Sequence, residues 1–114
     1  MQIPKDAILL RVFIGENPRF EGKPLYEAIV LKAREAGIAG ATVLRGPLGF
    51  GKSSQLHSAK ILRLSEDLPI IIEIVDGKDK IDAFLPVLDG MMAKVSGLIT
   101  VENVQVLLYG NEKP

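Results

Sequence analysis

The chain has 114 residues, enough for one hydrophobic core and too few for two, so a single domain over 1–114 is expected. Hydrophobic residues make up 47% of it, a high share for a soluble monomer, and part of that surface should be buried between subunits. Lys and Arg number 14 against 14 Asp and Glu, which argues against nucleic acid or an anionic membrane as partner. The absence of cysteine excludes disulfides, thiolate metal sites and a cysteine nucleophile.

The first segment, MQIPKDAILLRVFI, is apolar but broken by Arg11 and has no small-residue cleavage site. It reads as a strand rather than a signal peptide. No segment approaches the roughly 18 apolar residues of a membrane span, so no membrane insertion is expected and the cytoplasm is the default location. Within residues 7–14, Ile8, Leu10, Val12 and Ile14 form one apolar face at strand spacing. The turn-like GENPRFEGK follows. Pro24 then stands where a first helical residue should, with Leu25, Ala28, Ile29, Ala33 and Ala36 at helical spacing and Gly37 as the stop.

GATVLR (40–45) is a second strand and LPIIIEIVD (68–76) a third. A second helix is predicted over 78–92 from Ile81, Phe84, Leu85 and Leu88, with a kink or late start at Pro86. GLITVENVQVLLY (97–109) reads as a last strand. Its apolar phase shifts at Glu102–Asn103, which predicts a bulge or break there.

The order β-α-β-β-α-β is the signature of a ferredoxin-like α+β fold, an antiparallel sheet with helices on one face. The other face should be polar in a monomer, yet it presents Ala7, Leu9, Phe13, Ile71 and Val75. Burial against other subunits is the expected reason. Arg11 and Glu73 are the exceptions on that face, and as neighbours across adjacent strands they should form an ion pair.

Residues 46–53 read GPLGFGKS and satisfy G-x-x-x-x-G-K-[ST], the phosphate-cradling pattern of P-loop nucleotidases. Such an enzyme needs a helix directly after the motif, and SSQLHSAKILRL carries no sustained helical stripe. The motif also follows the second strand rather than the first. A P-loop NTPase therefore stands as an alternative, not the leading reading. Arg45, Lys52, Lys60 and Arg63 give the long connection a concentration of positive charge. With Gly46, Gly49, Gly51, Ser53 and Ser54 they make either an anion site or a solvated loop.

The segments GE at 15–16, GKPLYE at 22–27, GIAGATV at 37–43, RGPLGFG at 45–51 and DLP at 67–69 resemble the PII signal-transduction superfamily. In particular they resemble an uncharacterised PII-like branch, a protein family of unknown function, over residues 8–108. The resemblance implies a homotrimer that binds adenine nucleotide in clefts between subunits, with 46–67 as an effector loop contacting an unidentified protein partner. It further implies that Gly49, Phe50 and Gly51 shape the turn beside the phosphates. Arg45, Lys52 and Ser53 adjoin that turn, and Thr42 lies in the strand near the adenine. Lys94, Ser96 and Gly97 resemble a shortened second phosphate loop.

Two departures from the PII pattern bear on the ligand. Leu98 stands near the place of a PII lysine, and VQVLLY lacks the arginines that reach distal phosphates. Fewer cations imply AMP or ADP in preference to ATP, or another anion, with no cofactor required. His57 is the only histidine and reads as a loop residue. A structural or metal-responsive trimer without nucleotide is the further alternative. Glu16, Lys23 and Tyr26 are candidate rim residues, while Asp76, Asp79 and Asp82 read as turn and helix-cap acids. No nucleophile–base–orienter set is visible, so no catalytic residue is assigned and an enzyme is not expected.

Overall fold

A computed structural model describes residues 2–59 and 67–114. Strand β1 (Asp6–Gly15) alternates along its length, so Leu10, Val12 and Ile14 are buried while Leu9, Arg11 and Phe13 are only half-buried. The period-2 geometry of a strand sends these sets to opposite faces. Two short strands follow, β2 (Arg19–Phe20) and β3 (Lys23–Pro24), paired antiparallel. Glu21 and Gly22 between them both have positive φ, as a tight two-residue hairpin requires. This hairpin occupies what the sequence suggests only as a turn.

Helix α1 (Leu25–Glu35) buries Leu25, Ala28, Ile29 and Ala33. Pro24 precedes the helix as its N-cap, one position earlier than expected, and Gly37 ends it with φ 75°. Strand β4 (Gly40–Arg45) comes next, then a small hairpin of β5 (Leu48–Gly49) and β6 (His57–Ser58). Strand β7 (Pro69–Asp76) leads into helix α2 (Lys78–Met91), which runs through Pro86 without a late start. Strand β8 (Leu98–Gln105) closes the sheet.

The four long strands lie in the order β4-β7-β1-β8, every neighbour antiparallel. This is the ferredoxin-like α+β arrangement. The helices cover one face, where Leu10, Val12, Ile72, Ile74, Ile29, Phe84 and Leu88 form the core. Pairing of β8 with β1 runs unbroken from Asp6↔Gln105 to Phe13↔Leu98, so the expected bulge at Glu102–Asn103 is absent. The phase shift has another cause. Ile99 opposite Val12 lies on the helix side, whereas Val104 opposite Ala7 lies on the open side, and the apolar character changes face along a regular strand. The strand also ends at Gln105 rather than near Tyr109. Beyond it, the Tyr109 hydroxyl donates to the Ala39 carbonyl at 2.8 Å. Among the described residues no helix is long and apolar enough to cross a membrane.

Candidate functional site

The open face carries a charged centre set by strand register. Arg11 stands opposite Glu73 on β7 and Thr100 on β8, and Thr42 on β4 stands opposite Glu73. Arg11 Nε donates to Glu73 Oε2 at 2.9 Å, the pair expected from adjacent strands. Its Nη1 donates to Glu102 Oε1 at 2.6 Å, a partner the sequence does not suggest because the phase shift reads as a break. Hydrogen bonds to Glu73, then to Glu102, raise the Arg11 pKa above its usual value.

The residues matched to a phosphate site fall into two groups at one end of the sheet. The first is on the β4 edge. The amide of Gly46 donates to the Pro69 carbonyl at 2.8 Å, which ties the loop base to β7. Gly49 packs so closely on Pro69 that a Cβ there would lie 2.8 Å from the ring Cγ, so no larger residue fits without a shift. Ser54 N–H donates to the Gly51 carbonyl at 2.9 Å, forming a turn over Gly51, Lys52, Ser53 and Ser54. Phe50 is 70% exposed, and Lys52 and Ser53 are exposed beside it. Arg45, at the end of β4, is ion-paired with Glu16.

Where a P-loop enzyme would start a helix, GPLGFGKS enters this hairpin, with Leu48 opposite Ser58 and Gly49 opposite His57. Lys60 and Arg63 lie outside the described residues, as does part of the 46–67 segment.

The second group is on the β8 edge. Lys94 and Ser96 are exposed in the turn between α2 and β8. Gly97 is required by close approach, since a Cβ there would sit 2.7 Å from Met92 Cε and 2.8 Å from the Phe13 carbonyl oxygen. Beta-strands are spaced by about 4.8 Å, so three intervals put the two edges roughly 14 Å apart. One chain therefore does not unite Lys52 with Lys94, and Thr42 lies mid-strand on the open face.

A groove of about 520 Å³ lies elsewhere. It opens at the opposite end of the open face, between Leu9, Gly40, Val75, Val104 and Tyr109, and includes none of the residues matched to the phosphate site. Of the rim candidates, Tyr26 packs against the core, Lys23 is exposed in β3, and Glu16 holds Arg45. Asp76 is buried and structural: its carboxylate accepts from the Ala39 amide at 2.9 Å and the Gly77 amide at 2.7 Å. Asp82 pairs with Lys78 on α2, and Asp79 lies in the first turn of that helix. Among the described residues no three metal-ligating acids or histidines converge.

Residues 7–106 match the family model DUF190, described as uncharacterized ACR. A UPF0166 protein of Aquifex aeolicus is 42% identical over 99 residues, covering 87% of this chain and 91% of the relative. A UPF0166 protein of Methanocaldococcus jannaschii is 37% identical over 100 residues, covering 88% and 91%. Among solved structures, CPII of Thiomonas intermedia, a nitrogen regulatory PII-like protein bound to ADP, AMP and bicarbonate, superposes with a TM-score of 0.68. It is 17% identical, with 89% of this chain and 88% of CPII covered. A putative PII-like signaling protein of Thermus thermophilus gives a TM-score of 0.65 at 17% identity, covering 93% of each chain. At such identity the likeness is one of fold.

Proposed function

The chain belongs to the DUF190 family of uncharacterised proteins, and from that premise we propose that it is a PII-like regulator binding AMP or ADP between subunits. One observation carries this reading: the two groups of phosphate-type residues occupy opposite edges of the sheet at the same end. A cyclic assembly that brings the β8 edge of one copy to the β4 edge of the next joins them into one cleft, and a single chain does not. The apolar open face supports such an assembly, proposed to be a trimer. The nucleotide-bound state of CPII, which shares the fold, supports the choice of ligand.

In this reading, Gly49 packed on Pro69 and Gly97 packed on Phe13 and Met92 fix the two loop bases, while Lys52 and Lys94 supply charge from the two edges. Binding at the loop base would signal to a protein partner through the 46–67 segment. Few cations are present, so a monophosphate or diphosphate is the matching ligand, and the rival NTPase reading would require Mg²⁺-dependent phosphate release.

Calorimetric titration with AMP, ADP and ATP tests the proposal, and tightest binding of ATP would overturn the ligand assignment. Lys52→Ala should weaken nucleotide binding about tenfold, the worth of one charge-assisted hydrogen bond, with assembly unchanged by light scattering. Unchanged affinity would remove the hairpin from the site.

A further inference from the structure

We propose that Glu16 is a built-in competitor for the anion site, holding Arg45 until a phosphate takes its place; this rests on the nucleotide-binding reading above. Arg45 ends β4, and Glu16 lies one residue beyond β1. Those strands are not neighbours. Strand β7 runs between them, so the Arg45–Glu16 pair reaches across the sheet end past Pro69.

The two partners differ in exposure. The Glu16 side chain is 21% exposed and the Arg45 side chain 57%, so the carboxylate is held in place while the guanidinium faces solvent. A second acid adjoins the same turn, where the Asn17 amide donates to Asp67 Oδ1 at 2.8 Å. Asp67 thus anchors the backbone of the turn that carries Glu16, and Glu16 is the carboxylate that engages Arg45. With Arg45 engaged by Glu16, an approaching phosphate gains that guanidinium only if Arg45 changes partner.

That exchange is chemically favoured in direction. Phosphate offers a guanidinium two parallel acceptors and more negative charge than a carboxylate. The cost is borne by Glu16, which loses its counter-ion while half-buried. Ligand affinity is therefore set by the difference between the two pairings. Because Glu16 leads directly into the β2–β3 hairpin and α1, the exchange also links ligand occupancy to the turn at 15–17.

The test is titration of the full chain with AMP, ADP and inorganic phosphate, comparing wild type with Glu16→Gln, Arg45→Ala and the double variant. Glu16→Gln, or Glu16→Ala if the first folds poorly by circular dichroism, should bind five- to tenfold more tightly. The gain should vanish in the Arg45→Ala background, which a merely structural role for Glu16 does not predict. In the wild type, the Arg45 Nε–H resonance should move on adding AMP. Wild-type binding with equal or weaker binding by Glu16→Gln, or a still Arg45 resonance under saturating AMP, overturns the competition and leaves nucleotide binding standing. Binding by none of the proteins overturns both.

Discussion

The two faces of the sheet are built from the same branched residues and end in different states. On the helix side Leu10, Val12, Ile72 and Ile74 are fully buried. On the other side Leu9, Phe13, Ile71 and Val75 are half-buried, and Leu44 and Leu98 at the edges are 46% and 56% exposed. Composition does not separate the faces; coverage does. Two amphipathic helices seal the first, and the second has only neighbouring strands around it. The open face also has Arg11, Glu73 and Glu102 bonded at its centre, so its charges are already satisfied if a second copy excludes water.

The sharpest way to break this contrast is on the sealed side. Phe84, 2% exposed, packs in the core, and Phe84→Ala should cost about 3–5 kcal/mol of unfolding free energy in a urea melt. A loss near zero would mean that the helices do not seal that face. On the open side the effect should move from folding to association. Ile71→Asp should leave the far-ultraviolet dichroism intact and shift the particle in light scattering to a single chain. A particle of unchanged mass would show that the open face is not where copies meet.

The smallest effect concerns pH. Hydrogen bonds raise the Arg11 pKa, so the triad's contribution is fully present below the ordinary arginine range and is lost only as pH rises through the elevated value. Since arginine ordinarily titrates above the range of most buffers, the unfolding free energy measured from about pH 8 to 11 should show no loss arising from Arg11. A transition in that window that disappears in Arg11→Met would contradict this.

Much of the fold is legible in the sequence because burial follows period. Strand alternation in AILLRVFI and PIIIEIVD and the helical stripe of α1 each point to one face, and the element order then gives the sheet order. The Arg11–Glu73 pair follows from that order alone. Glu102 does not, because a strand whose apolar side changes face looks like a broken strand. The two small hairpins are also obscure, since two-residue strands have no period to detect. For the first, Gly22 is the available signal, since glycine suits positive φ, whereas Glu21 at φ 50° is a residue type that rarely adopts it. The candidate site is the least legible. Its glycines and lysines can be named, but Arg45's partner lies beyond an intervening strand, where no local pattern points.

By itself, the sequence determined the elements, their order and an excess of apolar surface, because each depends on residue spacing within one segment. Tertiary structure decided that GPLGFGKS enters a hairpin rather than a helix, that Glu16 holds Arg45, and that the phosphate-type residues divide between two edges. These are relations between segments distant in the chain. Their outcome depends on strand register and on which backbone groups meet at the sheet end, such as Gly46 with Pro69 and Gly97 with Phe13.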